Sequence, residues 1–153
     1  MRIAYFIISF FFIIICNAQT NNLDEIRKSY LESDKSEGNI YKLISICEEY
    51  KSENDSIIYA YSTVGDLMLI KYKYNPLYKL KLFTEYSRRL DLIVINNFSN
   101  IEIRFLRYCV QKQAPRFLGY NDNLELDYQF IIQNIDIQSK ELQKHIRSTL
   151  KSL

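Results

Sequence analysis

The chain has 153 residues, with 20 Lys and Arg against 18 Asp and Glu, for a formal net charge of +2. That length makes one domain with one modest core, and so balanced a charge provides no long-range field to gather nucleic acid or an anionic membrane, so polyanion partners are not favoured and no nucleic-acid partner is expected. Only 3 Gly and 2 Pro occur, where average use of roughly 7% and 5% would give about eleven and eight. A fold of many tight turns is therefore excluded, and an all-α fold is expected despite 13 Tyr and 9 Phe that favour strands by propensity.

Residues 1–18 read as a signal peptide. Arg2 gives a short positive n-region, Ala4 to Ile15 an apolar run broken only by Ser9, and Cys16-Asn17-Ala18 a small-residue site with cleavage expected between Ala18 and Gln19. A membrane-spanning helix needs about 20 apolar residues, and polar Asn17, Gln19 and Thr20 follow too soon, so no transmembrane segment is expected in the mature chain. The bulky Ile15 ahead of Cys16 argues against lipid attachment there. Residues 19–153 are expected to form a single helical domain, exported to the periplasm or secreted.

Seven helices are read from periodicity. Helix A spans about Asn22 to Glu37, with Asn22 and Glu25 as a capping box, Leu23, Ile26, Tyr30 and Leu31 as its stripe, and Gly38 as its stop. Helix B starts at Asn39 and carries Ile40, Leu43, Ile44, Cys47 and Tyr50, and the polar run Lys51 to Asp55 closes it. Helix C carries Ile57, Tyr61, Val64, Met68 and Tyr72, with Gly65 placed to let a neighbouring helix cross closely. Asn75-Pro76 opens helix D, because Pro loses nothing at the first helical position and Asn caps. It runs to about Ile95 with Leu80, Phe83, Leu90 and Val94 inward. Ser99 and Glu102 read as a capping box for helix E, which carries Ile101, Phe105, Cys109 and Val110 and stops near Gln113. An irregular segment, Pro115 to Asn121, precedes a third capping box, Asp122 and Glu125. Helix F carries Leu124, Tyr128, Ile131, Ile132 and Ile135; helix G, from about Ser139, carries Leu142, Ile146 and Leu150.

Successive helices with short turns are expected to pack as antiparallel hairpins, A with B, C with D and E with F, with G as an end cap; a short repeat-like solenoid is one such arrangement. Tyr61, Val64, Gly65 and Met68 resemble the first helix of a tetratricopeptide repeat in spacing, a likeness confined to helix C. From Asn75 to Ile132, above all in Ile101 to Arg107 and Ala114 to Asn121, the chain resembles a group of small exported bacterial helical proteins of unknown role. That resemblance implies one domain and an export signal, and brings no catalytic residue with it.

No catalytic, cofactor-binding or metal-ligating set is recognised, and no cofactor is expected. His145 is the single histidine, too few for common zinc sites, triads or dyads, and its place between Lys144 and Ile146 reads as a solvated surface. Glu48 with Glu49, and Glu125 with Asp127, diverge around their helices and make no dyad alone. Cys47 and Cys109 read as buried thiols, although export would permit a disulfide. The expected function is a non-enzymatic module that binds a protein or envelope component through a helical surface. The alternative is a small exported hydrolase using carboxylates or Tyr/Lys. Candidate contact residues are Arg116 and Tyr120, in the irregular segment, and Arg104 and Arg107, on the preceding helix. The rival reading of this region has both arginines bonded to loop carbonyls, Asp122 or Glu125 while Phe117 and Leu118 plug the core. Lys71, Lys73, Lys79 and Lys81 form a basic knuckle about the Asn75-Pro76 turn, a solubilising face with some attraction for an anionic surface.

Overall fold

In the computed structural model, which describes residues 22–52 and 55–153, short polar side chains set most helix starts. The expected signal peptide and its cleavage site lie outside the described residues. Among the described residues the fold is all-α, with seven α-helices and no strand: α1 (22–33), α2 (Glu37–Tyr50), α3 (Ser56–Leu69), α4 (Pro76–Asn96), α5 (Ile101–Gln113), α6 (Leu124–Asn134) and α7 (Lys140–Ser152). Single 3-10 turns follow at Ile70–Tyr72, Arg116–Leu118 and Ile135–Ile137.

Asn75 begins α4 as expected, its side chain accepting from the backbone N–H of Leu77 at 2.9 Å and Tyr78 at 3.2 Å, with Pro76 first in the helix. Other boundaries differ. Ser36 caps α2 by accepting from Asn39 N–H, so α1 ends at residue 33, four residues before the expected Glu37, and Gly38 lies inside α2. Asn100 rather than Ser99 caps α5, accepting from Glu102 and Ile103 N–H. This frees the Glu102 side chain to turn inward. Asn123 precedes α6 without a side-chain cap, and Glu125 accepts from Gln129 instead.

Helices α3 and α5 are central: α3 packs against α2, α4 and α5, and α5 against α3, α4, α6 and α7. The close α2–α3 crossing explains Gly65, where an added Cβ would lie 2.7 Å from Ile44 Cγ1. The ends of the fold also meet. Tyr30 of α1 and His145 of α7 pack edge to face with ring centroids 5.8 Å apart, and both lie against Tyr61 of α3. A one-dimensional stack would hold its first and last helices apart, whereas these contacts close α1, α3, α5 and α7 around one another.

The core contains Ile26, Leu43, Cys47, Tyr61, Val64, Leu90, Phe105, Cys109, Ile131, Ile135 and Ile146, with Ile57, Met68 and Phe83 packed half-buried at its edge. Leu80, expected inside, is 50% exposed, and Leu82 takes the inward place on α4. Both cysteines are free and buried, and burial pushes each thiol up to about 12, which keeps them protonated and inert.

Candidate functional site

Two buried polar clusters and one exposed apolar groove are the features that ordinary core packing does not explain. The first cluster joins four helices. Arg27 of α1 donates to Glu102 of α5 in a two-pronged pair, Nε to Oε1 at 2.8 Å and Nη2 to Oε2 at 2.7 Å. Tyr61 of α3 donates its single hydroxyl proton to Glu102 Oε1 at 2.7 Å. His145 of α7 lies with Nε2 2.9 Å from the same hydroxyl; with that proton committed, the imidazole must be the donor, which assigns the Nε2–H tautomer. Its other nitrogen, Nδ1, is buried and has no partner among the described residues.

The expectation of a solvated histidine is thus corrected: His145 is buried among the rings of Tyr30, Tyr61 and Phe105. Burial lowers its pKa to about 4, against the opposing pull of Glu102, so the ring is neutral at pH 7. Burial, reinforced by the Glu102 charge, likewise holds the Tyr61 hydroxyl well above its ordinary range.

The second cluster accounts for three of the four candidate contact residues. Asp127 of α6, fully buried, accepts from Arg104 Nε at 2.7 Å and from Arg107 Nε and Nη2 at 2.7 and 2.9 Å. Arg104 also donates to the Leu126 carbonyl and stacks over Phe130. Tyr120 donates to Asp91 Oδ1 at 2.9 Å, the carboxylate that also faces Arg107 Nη1 at 3.4 Å. The structure therefore brings Arg104, Arg107 and Tyr120 together as a clasp between α4, α5, α6 and the irregular segment. The arginine partners are Asp127 and Asp91, not Asp122 or Glu125. Arg116 does not join them and is exposed.

Phe117, one of the residues expected to plug the core, is 87% exposed and Leu118 half-buried. Gly119, at φ 64°, turns the chain in the left-handed region that Gly favours, so the segment returns to place Tyr120 on Asp91 while leaving Phe117 outside. Phe117 instead forms one wall of a groove of about 640 Å³ between the end of α3, the start of α4 and the end of α5. Leu67, Met68, Leu77, Leu80 and Phe83 belong to the apolar lining, and Asp34, Lys71, Lys79 and Gln113 are its polar residues. A volume of that order suits a small-molecule-sized or side-chain-sized apolar group.

The groove was legible in part. Leu77, Leu80 and Phe83, three residues apart, form a second apolar stripe on α4, distinct from the buried line of Leu82, Leu90 and Val94. A surface helix with apolar residues on two faces has a second face to cover. The groove brings no constellation of general acids and bases together, and among the described residues no group of three or more His, Cys, Asp or Glu could hold a metal ion. No described helix is long and apolar enough to cross a membrane. Compared with known proteins, the chain matches no family model, no curated protein and no solved structure.

Proposed function

We propose that the protein is an exported helical binding module whose contact surface for an envelope component is the groove between α3, α4 and α5. The observation that carries this reading is the exposure of Leu77 (80%), Leu80 (50%) and Phe117 (87%) around one concave apolar surface. Scattered apolar residues on a surface are ordinary, but apolar side chains gathered about a groove mark a binding site. The export assignment is supported by the n-region, apolar run and small-residue site of residues 1–18. A binding role is favoured over the hydrolase alternative because Glu102 and Asp127, the two buried carboxylates among the described residues, are both engaged by arginine, which occupies the lone pairs a general base needs.

Two measurements test it. N-terminal sequencing of the exported protein is expected to begin at Gln19. A photoreactive side chain placed at Leu77 should yield an envelope adduct that the same side chain at Tyr41, exposed on α2, does not. Equal adducts from both positions, or none from Leu77, would remove the groove from this role.

A further inference from the structure

The groove end of the molecule is rich in cations. Residues 71–81 carry Lys71, Lys73, Lys79 and Lys81, and residues 110–120 carry Lys112 and Arg116, with no carboxylate in either segment. These two segments supply most of the groove wall. Six cations without an acid stand here in a chain whose net charge is only +2. The one carboxylate in the lining, Asp34, lies 3.9 Å from Lys71. Lys79 donates to the Lys71 carbonyl at 3.1 Å, which holds its ammonium at the groove edge.

Apolar side chains project from the same two segments. Tyr74 is fully exposed, Leu77 is 80% exposed and Phe117 is 87% exposed. The opposite end of α4 makes the contrast: Ile95 and Phe98 are also exposed, but their neighbours Asn96, Asn97, Ser99 and Asn100 are uncharged. At the groove end, unlike the Ile95–Phe98 end, projecting apolar side chains and excess cations occur together.

Resting on the groove reading above, we propose that the envelope component is an anionic phospholipid bilayer surface. Tyr74, Leu77 and Phe117 enter its interfacial layer, the groove between them receives acyl-chain carbons, and the surrounding lysines and Arg116 meet headgroup phosphates. The chemistry is matched at each point. Apolar side chains with basic neighbours partition to anionic interfaces, tyrosine suits the boundary between hydrocarbon and water, and lysine can bury its stem while keeping its charge at the headgroups. A groove lined by Lys71 and Lys79 among apolar side chains accepts the two ends of a phospholipid together.

The test is sedimentation of the exported protein, of sequenced N-terminus, with vesicles of phosphatidylcholine alone or mixed with phosphatidylglycerol. Binding to the anionic vesicles should be at least tenfold tighter and should weaken as salt is raised. The pair Leu77→Asp and Phe117→Asp should lower it at least tenfold, whereas Phe98→Asp, at the uncharged end, should retain wild-type binding; thermal melts confirm that each variant is folded. Equal partition to both vesicle types, no partition, or wild-type binding by the groove variant would overturn the bilayer as occupant. A single protein adduct from the Leu77 photoprobe without vesicle binding would keep the groove and replace its partner, and concentration-dependent self-association blocked by Phe117→Asp would assign the groove to a second copy.

Discussion

The centre of the fold and the groove invert the usual distribution of residues. Where α1, α3, α5 and α7 meet, the chain buries a glutamate, a tyrosine hydroxyl and a histidine beside a half-buried arginine; at the end of α3, the start of α4 and the end of α5 it leaves leucine and phenylalanine in solvent. The polar centre has its demands met internally, apart from His145 Nδ1, and each group comes from a different helix, so it fixes which helices meet. The groove has apolar surface with nothing in the described chain to cover it. A buried ion pair adds little net stability compared with well-packed apolar residues, but removing one member leaves the other charged and unpaired. The centre is thus a place where substitution should unfold the protein, and the groove a place where it should alter only what the protein touches.

The largest effect is expected at Glu102. Glu102→Ala strands the Tyr61 hydroxyl and leaves the Arg27 guanidinium with Asp24 as its one remaining carboxylate among the described residues, 2.8 Å from Nη1, and should cost about 3 kcal/mol in a urea titration, a large part of a small domain's stability. A loss below about 1 kcal/mol would mean that water reaches the cluster and that the contrast with the groove is false.

His145 sharpens the same comparison through pH. Its folded pKa, about 4, lies below the unfolded value of about 6.5, so the unfolded chain binds the extra proton first. The neutral ring's contribution is therefore complete above about pH 6.5 and is lost as pH falls toward 4, by about 2–3 kcal/mol at pH 4.5. Glu102, Arg27 and Asp24 are the charged groups that act on the ring. Urea midpoints of the wild type and His145→Gln, measured from pH 7 to 4.5, isolate the imidazole as the difference between the two slopes, and parallel curves would show that the ring is hydrated in the folded state.

How far the sequence revealed these regions depends on whether the signal is local. Asn75-Pro76, the α5 span and the role of Gly65 rest on neighbouring residues or on one helix face, and all were readable. So was the burial of His145: Leu142, His145, Ile146 and Thr149 recur at three- and four-residue steps and are all buried, but the lysine at 144 drew attention to the wrong face. The pairing of Arg27 with Glu102 spans 75 residues and has no local trace. Glu102 instead offered a local role three residues after Ser99, and the tertiary ion pair prevailed over it. Leu80 failed for the reverse reason. Its helical spacing predicts a core residue, although it belongs to a stripe that faces outward.

A smaller loss is expected where α2 crosses α3. Gly65→Ala places a methyl 2.7 Å from Ile44 Cγ1, too close for contact, while improving helix propensity by up to about 1 kcal/mol. Overpacking of this kind costs about 1–3 kcal/mol, so net destabilisation of about 1 kcal/mol is expected. A thermal melt that rises instead would show that the crossing can open at little expense, and that the scaffold beneath the groove is softer than the polar centre.

The smallest effect on stability should come from the groove itself. Full burial of Leu or Phe contributes about 1.5–3 kcal/mol, but Leu77 and Phe117 keep 80% and 87% of their surface in water, so only a minor part of that contribution is made within the folded chain. Replacing both by Ser should shift stability by no more than about 0.5 kcal/mol in a urea titration, despite removing two of the larger apolar side chains in the domain. Their removal should also lessen any tendency to self-associate, because the exposed apolar area shrinks. A loss above about 1 kcal/mol would place the groove lining in the fold's own core and end the contrast with the polar centre. An unchanged urea midpoint, combined with loss of the Leu77-directed envelope contact, would show that this apolar surface is retained for something outside the chain.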